Sequence, residues 1–146
     1  MTQTFVQSSQ GVTLAGGGRF SAGLLAQART FAPRLVAADS GADRLLALGA
    51  EPEAVIGDMD SISSAAMERL GGRLFPVGEQ DTTDFDKALR SIAAPAVVAV
   101  GFTGGRIDHQ LSAYHTLVAR AEIPCVVLGE NELVFHCPPD LTLPTR

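Results

Sequence analysis

Short apolar runs alternate along the chain with longer stretches of helical spacing. Residues 12–15, 34–38, 54–56, 96–102 and 123–128 are too short for helices and rich in Val, Ile, Leu and Ala. Runs of this kind, bounded by Gly, Pro or Asp, read as buried strands. Between them, residues 21–30, 42–48, 63–70, 83–92 and 107–121 carry apolar side chains at helical spacing, with Ser21, Asp60 or Ser61, and Thr82 or Thr83 placed as caps. Residues 73–77 form a weaker strand because of Pro76, and residues 132–136 can begin another. The pattern predicts repeated βα units: an α/β, Rossmann-like three-layer domain with a mainly parallel sheet.

Composition narrows the class. The 146 residues, 46% of them apolar, suffice for one domain with its own core. No apolar run approaches the ~18 residues of a membrane span, and the first ten residues lack a basic and an apolar region, so no membrane partner and a cytoplasmic location are expected. In that compartment Cys125 and Cys137 are expected as free thiols. Net charge is −5, with basic residues scattered singly, which argues against a nucleic-acid partner. The absence of Trp and the single Tyr point the same way.

Chemistry concentrates after the predicted strands. Gly57-Asp58-Met59-Asp60-Ser61 follows the run 54–56, at the strand end where open α/β sheets bind ligands. Two Asp at i, i+2 on extended backbone point the same way and can face one cation. Such hard oxygen ligands suit Mg²⁺, which takes one or two carboxylates plus substrate phosphates. Gln80-Asp81-Thr82-Thr83-Asp84-Phe85-Asp86-Lys87 holds more acid than a helix cap requires. Asp81 and Asp84 can share a face if the helix begins early, while Lys87 can pair with Asp84 or reach a phosphate. In Gly101-Phe102-Thr103-Gly104-Gly105-Arg106-Ile107-Asp108-His109 the glycines permit close backbone approach and Arg106 can grip phosphate by two bonds. His109 reads as a helix-surface residue, and Tyr114 and His115 as packing or surface.

Four loops, at Asp39, Asp58/Asp60, Asp81/Asp84 and Asp108, therefore bring carboxylates to one sheet edge. That much acid is costly unless cations neutralise it, so a metal-nucleotide site is the economical explanation. Three other readings stand beside it. Gly16-Gly17-Gly18 with Asp39 partly matches a dinucleotide fingerprint, with Ser21 where Gly or Ala belongs. The run 54–61 resembles the nucleophile motif of haloacid-dehalogenase phosphatases, although two βα units precede it and Ser61 replaces Thr or Val. A nucleotide-binding scaffold without turnover is the third. No P-loop motif is present.

Taken together, Ala38-Asp-Ser-Gly-Ala-Asp43, Ile56-Gly-Asp-Met-Asp-Ser61, Gln80-Asp-Thr-Thr-Asp-Phe85 with Lys87, and Gly104-Gly-Arg-Ile-Asp-His109 resemble the thiamine pyrophosphokinase family in its catalytic domain. The likeness covers most of residues 34–116. It implies transfer of a pyrophosphoryl group from ATP to the hydroxyl of thiamine, giving thiamine diphosphate and AMP. Asp58, Asp60 and Asp84 would hold Mg²⁺, and Gln80, Lys87 and Arg106 would contact the nucleotide phosphates. Ser61, Asp81, Gly104 and Gly105 would belong to the same nucleotide-binding loops. Asp108 would support Arg106, and Asp39 would share the cleft. A related acceptor, another hydroxymethyl heterocycle, would keep the same ATP site. The resemblance also implies a homodimer and a C-terminal β-sandwich that helps build the thiamine pocket. Residues 1–137 are then expected as the ATP-binding domain and 138–146 as the start of a truncated C-terminal segment, leaving the acceptor pocket incomplete. One departure is Asp43, where relatives often carry Asn.

Overall fold

A computed structural model describes residues 3–145. The strands are β1 (Val6–Gln7), β2 (Val12–Ala15), β3 (Arg34–Ala38), β4 (Ala54–Gly57), β5 (Leu74–Pro76), β6 (Ile92–Ala93), β7 (Val97–Val100), β8 (Cys125–Leu128) and β9 (Leu133–Phe135). The helices are α1 (Ala22–Phe31), α2 (Gly41–Ala47), α3 (Ser64–Leu70), α4 (Asp84–Arg90) and α5 (Ile107–Ala119). Seven strands form one sheet in the order β5-β4-β3-β2-β7-β8-β9, parallel throughout except for β9, which pairs antiparallel with β8.

Strand order explains the layering. From β2 the chain steps outward through β3 and β4 to β5, then returns to place β7 on the other side of β2. Parallel crossovers keep one hand, so reversing the direction of travel moves the connecting helices to the opposite face. Accordingly α1, α2 and α3 pack on one face through Leu24, Leu25, Ala28, Leu45 and Ala66, against Leu35, Ala37, Val55 and Val100. On the other face α4 and α5 bring Phe85, Leu89, Ala113 and Leu117 against Val12, Leu14, Val36 and Ile56. Alternate residues of each strand thus enter alternate cores, the period-two consequence of the pleat.

Two local features depart from the sequence expectation. The helix expected over 83–92 stops at Arg90, because Ile92–Ala93 turns extended and pairs in parallel with Val6–Gln7. This two-strand sheet carries the amino-terminal segment onto the α4 face, where Val6 and Ile92 are buried together. The strand expected over 96–102 ends at Val100, since Gly101 (φ 81°) breaks the extended backbone. Cys125 and Cys137 are both free thiols, as expected. Among the described residues no helix is long and apolar enough to cross a membrane.

Candidate active site

Neighbouring strands β2 and β7 send their chains to opposite sides of the sheet, and a crevice opens between the loops at their carboxyl ends. This is where open α/β sheets place ligands. Here it is a cleft of about 500 Å³. Its floor needs glycine: a Cβ on Gly18 would stand 2.6 Å from the Gly101 carbonyl oxygen, and one on Gly41 2.0 Å from that of Ala15. Gly18 is therefore explained by backbone-to-backbone packing at the switch point, while Gly16 lies against the Phe102 ring and Gly17 against the Ser40 hydroxyl. Phe102, packed on Phe85 with ring centres 4.4 Å apart and planes tilted by 36°, supplies an apolar wall.

Asp39 sits at the end of β3 with φ 43° and is 1% exposed. Its carboxylate accepts the backbone amides of Ser61 (3.2 Å) and Ile62 (3.0 Å), so it anchors the loop after β4. Burial pushes its pKa up to about 6. The Ser61 amide opposes that rise, and the charges of Asp84 and Asp58 add to it.

The pair Asp58 and Asp60 faces one point by a different route from that expected. The strand ends at Gly57, and Met59 turns back with φ 66°. The Asp60 amide donates to Asp58 Oδ1 at 3.1 Å, closing an Asx turn rather than continuing a strand. One carboxylate oxygen from each of Asp39, Asp58 and Asp60 then lies within 4.8 Å of the others. Burial works against the Asp58 charge. Hydrogen bonding from Asp60 and the Lys87 ammonium outweigh it and hold its pKa below the ordinary carboxylate value.

Thr83 caps α4, its hydroxyl accepting the Asp86 amide at 3.2 Å, so the helix begins at Asp84. That sorts the acidic cluster. Asp84 lines the cleft, and among the described residues its buried Oδ1 has no hydrogen-bond partner. Burial and then the Asp58 charge raise its pKa. Lys87 is 1% exposed, with Nζ 3.3 Å from Asp58 Oδ2 and 3.8 Å from Asp84 Oδ1. Asp86 turns away, accepting from Arg120 Nε (2.7 Å) and Nη2 (3.1 Å) to join α4 to α5. Asp81 precedes the helix, stays exposed and does not line the cleft, so it shares no face with Asp84.

Gln80, Ser61, Gly105 and Arg106 all line the cleft. Gly104 does not; its amide donates to Gln110 Oε1 at 3.2 Å, which ties the loop to α5. Arg106 is gripped by Asp108 through Nε (3.1 Å) and Nη2 (2.6 Å). That guanidinium lowers the pKa of Asp108. Asp43 has a bracing role: it accepts the Ser63 amide at 2.9 Å and the Ser63 hydroxyl, joining α2 to the start of α3. Ser40, Phe102, Thr103 and His109 are among the cleft residues that the sequence does not single out as site residues. The available signal was their position, each in or just after a loop that follows a strand. His109, expected on the helix surface, is exposed but on the cleft side of α5.

Fold and site together define an α/β domain with an acidic cleft at its switch point, one lysine buried beneath the acids and one arginine at the rim. The sequence profile of the thiamin pyrophosphokinase catalytic domain matches residues 25–127, and the chain belongs to that family. Thiamine pyrophosphokinase 1 of Oryza sativa subsp. japonica is 29% identical over 101 residues, covering 60% of this chain and 38% of the relative. Among solved structures, thiamin pyrophosphokinase from Geobacillus thermodenitrificans is 27% identical with a TM-score of 0.60, covering 80% of this chain and 58% of that one. The Candida albicans protein, at 15% identity and a TM-score of 0.73 over 92% of this chain and 65% of its own, shares the fold. The chain thus spans little more than a third of the curated plant relative's length.

Proposed function

We propose that this domain binds Mg-ATP in the cleft and serves transfer of its pyrophosphoryl group to the hydroxyl of thiamine, forming thiamine diphosphate and AMP. The observation that carries the reading is the convergence of Asp39, Asp58 and Asp60 within 4.8 Å beside Asp84 Oδ1, which among the described residues accepts no hydrogen bond. Aspartates facing one another without a cation repel, and hard oxygen donors of this number fit Mg²⁺. Asp58, Asp60 and Asp84 would hold the ion, with Asp39 bracing the loop that carries the first two. When bound, Mg²⁺ supplies positive charge to the phosphate oxygens.

The remaining work falls to side chains of this chain. Arg106 at the rim binds phosphate oxygens through the donors that Asp108 leaves free. Lys87 offers a point charge from below, and Gln80 a polar contact from the loop before α4. Ser61, Gly105 and the neighbouring Gly104 and Asp81 shape the nucleotide loops. Phe102 and Phe85 keep one wall dry. Positioning and charge neutralisation are what phosphoryl-type transfer chiefly demands, and no side chain here needs to act as a covalent nucleophile.

The remaining features rest on the resemblance. A cytoplasmic setting fits the two free thiols. For the homodimer, Ile107, Leu111 and Val118 are exposed on α5 and lie within about 40° of one another around its axis. The test is ATP titration by calorimetry with and without Mg²⁺, followed by addition of thiamine and chromatography for AMP. The expected result is ATP binding at least about tenfold tighter with Mg²⁺, and AMP formation, dependent on thiamine and Mg²⁺ together, once the chain is joined to the β-sandwich that the family resemblance implies. Binding that ignores Mg²⁺ returns the domain to a nucleotide-binding scaffold.

A further inference from the structure

The segment 78–83, between β5 and α4, carries Gln80, Thr82 and Thr83 into the cleft wall, yet it has little backbone support. Among the described residues, none of its amides donates to another backbone carbonyl. What holds it is a side chain. Glu79 Oε1 accepts the Thr82 amide at 2.7 Å and the Thr82 hydroxyl at 2.9 Å, so the carboxylate spans the turn it belongs to. Its other oxygen accepts from Arg90 Nη2 at 2.5 Å, at the far end of α4. Arg90 Nε lies 3.7 Å from Asp86, which is itself gripped by Arg120 of α5. A line of alternating charge therefore runs from the cleft loop along α4 to α5: Glu79, Arg90, Asp86, Arg120.

We propose that Glu79 is a positioning residue that fixes the Gln80–Thr83 segment against the cleft and so sets its affinity for the nucleotide. It reaches none of the cleft itself. It acts through Thr82 on one side and is aimed by Arg90 on the other. A carboxylate accepting several hydrogen bonds, one from a guanidinium, is a strong clamp. Arg90 holds the Glu79 pKa down at about 2, so the clamp stays charged throughout the physiological range. The inference rests on the Mg-ATP reading of the cleft for its consequence, and on geometry alone for the clamp.

The experiment separates the two. Hydrogen exchange of the 80–83 amides is followed in the ligand-free protein, and Mg-ATP affinity is measured by calorimetry, for the parent, Glu79→Ala, Glu79→Gln, Arg90→Ala and the Glu79→Ala/Arg90→Ala double variant. Glu79→Ala is expected to speed exchange at Thr82 and weaken Mg-ATP about tenfold, the loss typical of a hydrogen-bonded charge. Glu79→Gln keeps an oxygen for the Thr82 amide and should fall between parent and Ala. It also serves if the alanine variant folds poorly. The double variant should be no worse than the weaker single, because the two residues form one device. Unchanged exchange in Glu79→Ala, or additive losses in the double variant, would overturn the clamp. Faster exchange with unchanged affinity would overturn its role in nucleotide binding. A parent with no Mg-ATP affinity overturns the proposed function, while the exchange data still judge the clamp.

Discussion

The backbone amide of Ile62 donates to Asp39 Oδ1 at 3.0 Å, so the residue that ends β3 holds the loop that follows β4. Asp39 is buried, and its pKa stands at about 6 against an ordinary 3.8. A raised carboxyl pKa means the folded protein keeps its proton longer than the unfolded chain. Stability from this group is therefore largest at low pH and falls as pH rises from about 4 to about 6, after which the loss is complete. Urea midpoints in chelator should accordingly decline across that window, and Asp39→Asn should flatten the decline. An equal slope in the variant would assign it to other groups.

Asp58 and Asp84 should respond oppositely to the same substitution. Asp58 partners the buried Lys87 ammonium, so Asp58→Asn leaves a buried charge poorly compensated and should cost about 1–3 kcal/mol. Asp84 is held by burial and by repulsion from Asp58 more than by any partner, and Asp84→Asn should leave metal-free stability equal or slightly higher. Both should abolish most of the Mg²⁺-dependent rise in melting temperature that mass action gives a bound ligand. Thermal melts with chelator and with Mg²⁺ read both effects. Equal destabilisation by the two variants would mean that Asp84 is a structural cap.

The strand pattern was legible because each central strand is buried on both faces and bounded by Gly or Asp. Residues 12–15 and 34–38 emerge with the expected bounds. The small sheet of β1 and β6 was not, since two-residue strands carry no period and their pairing spans most of the chain. In the site, the acidic loops could be read from their places after strands. Which acid faces the cleft could not. Asp81, Asp84 and Asp86 look alike in sequence, and they are sorted by where Thr83 starts the helix and by Arg120, 34 residues after Asp86. Likewise, no local signal told that Lys87 would be buried beneath the carboxylates, because its helix face is set by packing on the sheet.

Asp86 and Arg120 should prove structural. Asp86 is 6% exposed and accepts two bonds from Arg120, with Arg90 nearby. Arg120 is about a third exposed, so water screens the charge left behind, and Asp86→Ala should cost about 1–3 kcal/mol. The network also touches the loop clamp through Arg90. Even so, Arg120→Met, acting one residue further from the cleft, should lower the melting temperature and leave Mg-ATP affinity of the folded protein within about twofold. A larger affinity loss in Arg120→Met would make the whole α4–α5 brace part of the binding device.

Arg106 is the opposite case, exposed and dispensable to the fold. Its pair with Asp108 joins side chains 72% and 57% exposed, and surface pairs of this kind add little stability. A guanidinium has five N–H donors. Asp108 takes Nε and one hydrogen of Nη2, which leaves Nη1 and the second Nη2 hydrogen for phosphate oxygens. Asp108 thus fixes the plane of the fork before any ligand arrives. Arg106→Lys keeps the charge but loses the planar fork, and should weaken Mg-ATP about tenfold with an unchanged melting temperature. Asp108→Ala frees the fork to rotate and should weaken binding by a smaller factor, about threefold. Calorimetry on the two variants beside their melts is the check. If Arg106→Lys bound Mg-ATP like the parent, Arg106 would be contributing charge alone, and the fork held by Asp108 would have no part in gripping the nucleotide.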